Sequence, residues 1–211
     1  YQASGGEFGP GFDPEKVTET AVGSASFLWS SCDEGDMSYR LGNQRGRMQL
    51  FRITRLMGLD CGNPAPPVTN DAAYLSGSWA DPTHDGEGYN IEVLDNGQVV
   101  IYWFSYDPDG NRRWFFGVGE IQNGKLVFDD MQTSSGGIFG PDFDPLLVEY
   151  APWGTLELEL DCLGGTATYS STEPGFGSGT LNVQRLTSID QLECPQDRKS
   201  TRLNSSHSSV S

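Results

Sequence analysis

Positive charge is scarce in this chain. Its 211 residues hold 13 Lys and Arg against 29 Asp and Glu, a formal net charge of −16. Three of the bases (Arg198, Lys199, Arg202) stand in the tail beside one acid, Asp197, so the rest of the chain carries −18. Such a surface excludes nucleic acid and anionic membrane as partners. Residues 1 to 61 hold 8 acids and 6 bases, whereas 62 to 196 hold 20 acids and 4 bases. Histidine is rarer still, with His84 alone outside the tail, which excludes a multi-His metal centre. No run of about 18 apolar residues exists, so no membrane span is expected. The four cysteines include no CxxC pair, which removes the usual zinc and thioredoxin-like motifs, and no GxSxG accompanies the histidine. Tyr1 is preceded by no methionine, basic stretch or apolar leader, and the chain reads as a fragment cut at both ends.

What is present is aromatic residues, at 11%, and 27 glycines, the composition of an ordered β protein. Residues 4 to 17, SGGEFGPGFDPEKV, match 135 to 148, SGGIFGPDFDPLLV, at ten of fourteen positions with an offset of 131. The match continues through Cys32 with Cys162, Tyr39 with Tyr169, Arg52 with Arg185 and Cys61 with Cys194. Self-similarity at so long a period means duplicated domains. Residues 1 to 61 therefore read as the back half of a first copy, 62 to 72 as a Pro-rich linker, and 73 to 194 as a complete second copy. Of the three pairings four cysteines permit, the duplication selects Cys32 with Cys61 and Cys162 with Cys194. Paired cysteines imply an oxidising compartment, so the protein is expected to be secreted, periplasmic or on the cell surface.

The second copy alternates with period two. Tyr89, Ile91 and Val93 oppose Asn90 and Glu92, and Leu156, Leu158 and Leu160 oppose Glu157 and Glu159, as in half-buried antiparallel strands. Asn96-Gly97, Asn123-Gly124 and the run DPDGN at 107 to 111 predict hairpins. About eight strands fit between Trp79 and Thr187, a number that suits a closed barrel or a β-sandwich. Gly77-Ser78-Trp79 on the first strand, with Arg185 sharing the inward parity of Leu181 and Val183 on the last, resembles the calycin signature of lipocalins, avidins and a bacterial metalloprotease inhibitor. That resemblance implies an all-β, antiparallel, eight-stranded up-and-down barrel with Arg185 packed over Trp79, and Arg52 in the same role in the half copy; a β-sandwich is the alternative. The runs GSWADPTHDGEGYNIEV, VVIYWFSYDPDGNRRWFFGVGE and FGPDFDP also resemble a tandem β-domain of secreted gammaproteobacterial proteins, a family that implies domain limits and export rather than an activity. The tail is different: Asp197 to His207 reverse-translates into a widely used sequencing adapter, and 195 to 211 is expected to be an artefact without a packed structure.

Three constellations compete for function. His84, beside Asp85 and Glu87 in DPTHDGEG, is the only candidate general base, although Gly-flanked polar residues between strands are usually a turn. Asp107, Asp109 and Asn111 resemble part of a calcium loop, with the Gly too early and the bidentate Glu missing, so a hairpin turn is the better reading. The aromatic excess is more informative, because the strands joined by DPDGN carry large side chains at both parities while a barrel needs one apolar face. Tyr102, Phe104, Tyr106 and Phe115 are accordingly expected to form an outward patch, Trp103 and Trp114 lying on other faces, against the neighbouring repeat, a partner protein or a sugar ring. The FGPxFDP loop, with Phe139, Pro141, Phe143 and Pro145, is expected to fold back as a plug over a barrel end or edge. Together these point to a non-catalytic, secreted binding or adhesion module that takes an extracellular polysaccharide or protein and needs no cofactor. A weak hydrolase using His84 with Asp85 or Glu87, and a barrel-type protease inhibitor, are the alternatives.

Overall fold

A computed structural model describes residues 1–9, 11–62, 72–140 and 142–195. Most of the linker and residues 196–211 lie outside the described residues. Eight strands, β6 (Gly77–Ala80), β7 (Gly88–Val93), β8 (Gln98–Tyr106), β9 (Arg112–Gln122), β10 (Lys125–Ser135), β11 (Glu149–Leu160), β12 (Gly164–Ser171) and β13 (Ser178–Arg185), pair antiparallel with their chain neighbours. β13 returns to β6 through Arg185↔Trp79 and Gln184↔Ala80, which closes an up-and-down barrel and excludes the sandwich. Local chemistry sets the register. Asn123 and Gly124 both have positive φ (52° and 82°), as a two-residue turn matched to strand twist requires. The five residues 107–111 close the β8–β9 hairpin by the bond from Asp107 N to Asn111 O, 2.7 Å.

The alternating apolar positions fill the barrel: Ile91, Val93, Val99, Ile101, Leu126, Phe128, Leu156, Leu158 and Val183 are buried. At about 1.5 to 3 kcal/mol for each large apolar side chain, this stripe dominates the stability of the fold. One end is closed as the calycin likeness implies. Trp79 is buried and donates its indole N–H to Leu75 O at 3.0 Å, and the Arg185 guanidinium lies 4.2 Å above its ring. Arg185 Nε donates to Cys162 O at 2.9 Å, while its two terminal nitrogens are buried without a hydrogen-bond partner among the described residues, and the guanidinium lies over the rings of Trp79 and Tyr74. Cys162 is bonded to Cys194 and Cys32 to Cys61, each closing a loop of about 30 residues at the end of a last strand.

The first 61 residues form β1 (Gln2–Ser4), β2 (Thr18–Thr20) and an open three-stranded sheet of β3 (Gly23–Trp29), β4 (Glu34–Leu41) and β5 (Gln44–Phe51). Their pairing parallels the barrel strand for strand. Gln2↔Thr20 matches Thr133↔Ala151, Gly23↔Leu41 matches Gly154↔Ser171, and Gly35↔Leu50 matches Gly165↔Val183. Arg52 Nε donates to Cys32 O at 2.7 Å, as Arg185 does to Cys162 O. Arg52 has no tryptophan beneath it among the cation–ring contacts of the described residues, and lies 3.3 Å from Asp33 instead.

Candidate functional site

Antiparallel alternation puts the loops 81–87, 107–111 and 172–177 at one end of the barrel. That end is lined with rings and stoppered from outside the barrel sequence. Phe8, in the first FGPxFDP loop, packs against Trp103, Phe115, Trp153, Tyr169 and Phe176 with ring centroids 4.8 to 6.3 Å away, most of them edge-on. The sequence-predicted plug is therefore formed, but by the first copy of the loop. Phe139 of the second copy stays out of its own barrel and is 56% exposed; Pro141 lies outside the described residues.

Beneath the plug, His84 Nδ1 meets Glu87 Oε2 at 2.7 Å, and Glu87 Oε1 accepts from Trp103 Nε1 at 3.1 Å and Ser105 Oγ at 2.8 Å. The backbone turn bringing them together has Glu87 N donating to His84 O. Burial works to lower the His84 pKa, but the hydrogen bond and charge of Glu87, helped by Asp81, outweigh it and leave the imidazole above its ordinary value. Asp85 takes no part through its side chain; its carbonyl accepts from Tyr106 Oη at 3.3 Å. Phe12 stacks on His84 at 4.4 Å with the planes 20° apart, so the plug loop covers one face of the imidazole. The pair His84–Glu87 is a polar tie between the loop 81–87 and β8, with Glu87 buried and accepting from both Trp103 and Ser105. Tyr89 Oη and Trp153 Nε1 are buried without a hydrogen-bond partner among the described residues.

The acidic turn is self-satisfied. Asp107 Oδ1 accepts from the amides of Asp109 (3.0 Å) and Asn111 (2.8 Å), and the Asn111 amide group reaches both carboxylate oxygens. Burial would raise the Asp107 pKa, but these donors outweigh it and hold it below the usual carboxylate value. Among the described residues no three His, Cys, Asp or Glu side chains converge as metal ligands.

The aromatic face exists with a different membership from that expected. The pairs Phe104↔Trp114 and Tyr102↔Phe116 put these four rings outside, and Trp103↔Phe115 puts those two inside. Phe115 is fully buried, so its assignment to the outward patch is corrected, and Trp114, 38% exposed, takes its place. The reason is the five-residue turn: an odd loop aligns 103 with 115, and in an antiparallel pair partners share a face. Tyr106 is also buried, but by cover, since Gly6 and Phe12 of the plug loop lie over its ring. Outside, Tyr102 stacks on Trp114 (6.4 Å, 22°), Trp114 on Phe116 (5.1 Å, 27°), and Phe116 meets Tyr150 edge-on at 5.8 Å. The row runs between two cavities. One, of about 560 Å³, is bounded by Gln2, Ala3, Gly86, Phe104, Arg112 and Trp114. The other, of about 390 Å³, lies between Tyr102 and Glu92 of the barrel and Trp29, Leu50 and Phe51 of the open sheet. Trp114, Phe116 and Tyr150 could have been found in the sequence only by fixing the hairpin register first.

No family model, curated protein or solved structure matches this chain. Among the described residues no helix is long and apolar enough to cross a membrane.

Proposed function

We propose that the chain is a non-catalytic binding module of an exported protein, built from tandem copies of one β-domain, and that it holds an extracellular polysaccharide on the row Tyr102, Phe104, Trp114 and Phe116. The observation that carries this reading is the near-parallel stacking of Tyr102, Trp114 and Phe116 on the outside of adjacent strands, where the barrel core does not require them. Such a platform suits the apolar faces of successive sugar rings, which stack on aromatic side chains. Arg112 borders the same cavity and adds donors for hydroxyl or carboxylate groups. Two disulfides support the exported setting, and the corresponding strand pairs and Arg–carbonyl bonds of the two segments support the tandem one. The covering of His84 by Phe12 favours this reading over the hydrolase.

The test is retention of the native chain on a panel of insoluble and immobilised polysaccharides. Trp114→Ala is expected to weaken retention about tenfold, the loss of a central aromatic anchor, and to cost about 1 to 2 kcal/mol of stability through its stacking on Tyr102 and Phe116, leaving the chain folded. A native chain that retains no polysaccharide, or a Trp114→Ala chain that binds as well as the native one, overturns the reading and moves the row to a protein interface.

A further inference from the structure

The two FGPxFDP loops share one local fold. Phe12 N donates to Gly9 O and Phe143 N to Gly140 O, each at 3.1 Å. Asp13 and Asp144 cap the 3-10 turns that follow, accepting from Glu15 N and Leu146 N. Their surroundings differ in a patterned way. Phe8 leaves its own copy and meets Tyr169 of the barrel at 5.1 Å and 72°. Phe139 leaves the barrel and meets Tyr39 of the open sheet at 5.1 Å and 63°. Tyr39 holds in β4 the register place that Tyr169 holds in β12, with Ala25↔Tyr39 matching Leu156↔Tyr169. The following glycines repeat the approach: a Cβ on Gly9 would lie 3.1 Å from Tyr169 Oη, and one on Gly140 3.5 Å from Tyr39 Oη. Each loop thus addresses the equivalent tyrosine of the other copy.

Around Phe8 the barrel supplies four more rings; among the described residues Phe139 meets the ring of Tyr39 alone. The face of the open sheet that carries Tyr39 also carries Ala25, Phe27, Trp29, Met37 and Leu50, cross-strand partners of one parity, and the corresponding face of β11–β13 is the barrel interior. Phe27 is 56% and Trp29 65% exposed, an interior face without an interior. β1 shows what would cover it. It pairs with β2 as the end of β10 pairs with β11, and upstream of that end β10 runs on beside Leu156 and Leu158.

We propose that β1–β5 are one wall of a second barrel, closed by a segment of the same polypeptide upstream of Tyr1 that supplies the counterparts of β6–β9 and of the rest of β10. Phe139 is the plug of that barrel, so the two barrels are locked together by exchanged plugs. The proposal rests on the tandem-copy part of the function proposed above and not on its ligand.

Two measurements decide it. The coding sequence upstream should read as alternating strands with a GxW opening, and should place aromatic residues near 29 and 17 positions ahead of Tyr1, where Trp103 and Phe115 stand ahead of Gln132. In the longer chain, Phe139→Ala should lower the melting temperature by several degrees, as is expected of Phe8→Ala, and Phe139→Leu by less; in the 211-residue chain Phe139→Ala should move it by no more than about one degree. Upstream sequence without these strands, or a longer chain indifferent to Phe139→Ala, overturns the proposal. So does a 211-residue chain that dimerises reversibly through the open sheet with Phe139 as a dimer contact, which would assign that face to a second copy. Polysaccharide retention, read on Trp114→Ala, is independent of all these outcomes.

Discussion

Phe8→Ala tests the claim that a residue outside the barrel sequence completes the barrel core. The ring is partly buried and packs with five aromatic side chains at 4.8 to 6.3 Å. A fully buried Phe→Ala substitution costs about 3 to 5 kcal/mol, lost transfer energy together with the cavity left behind. Partial burial lowers this to about 2 to 3 kcal/mol, and the edge-on pairs supply a share of it. The loss has a ceiling, because the plug loop can leave the mouth altogether once undocking costs less than the cavity. For a domain of this size about 2 to 3 kcal/mol corresponds to a fall in melting temperature of roughly 4 to 12 °C. Urea denaturation followed by tryptophan fluorescence is the direct assay, since Trp103 and Trp153 line the mouth. Near-ultraviolet circular dichroism should lose intensity as their environment loosens. An unchanged urea midpoint in Phe8→Ala would refute the plug, and a loss equalled by exposed Leu146→Ala would show that the effect is unspecific.

Two further outcomes follow from the same end of the barrel and from its closure. The His84 pKa is raised in the folded chain, so its ionised bond to Glu87 adds stability that is fully present below the unfolded value of about 6.5 and is lost as pH rises through the folded value. Urea midpoints measured from pH 5 to pH 9 should fall over that window in the native chain, and His84→Gln should remove this component; a native midpoint flat across the window would refute it. Replacing Cys162 and Cys194 by Ser opens a loop whose ends are 32 residues apart and should cost about 3.5 kcal/mol in the chain-entropy model, read as a lower urea midpoint with Cys32–Cys61 still resisting thiol titration.

Much of the fold was legible because it rests on local or periodic rules. Period-two alternation in Tyr89–Val93 and Leu156–Leu160 puts one face of each strand in the core whatever the topology. The internal sequence match pointed to the cysteine pairs, and Cys32–Cys61 and Cys162–Cys194 are the pairs bonded. The packing of Arg185 over Trp79, 4.2 Å above its ring, was implied by the resemblance of Gly77-Ser78-Trp79 and Arg185 to the calycin signature, with parity only supporting the match. His84 and Glu87 stand three residues apart in one turn, so their bond too was within reach of sequence reasoning.

Tertiary structure decided what lies between distant segments. Which of the rings in β8 and β9 face outward depended on one register, set by the length of the 107–111 turn, and it moved Phe115 inside and Trp114 outside. Tyr106 has outward parity and is buried because Gly6 and Phe12, about a hundred residues away, cross above it while Asp85 and Gly86 meet its hydroxyl. The FGPxFDP sequence carries its own turn and cap, which is why both copies fold alike. It carries no address, because where a Phe ring inserts depends on which cavity lies within reach. A sequence by itself determines which faces are apolar and where the chain turns; which face covers which is settled only when the barrel closes and the loops from one copy reach the other.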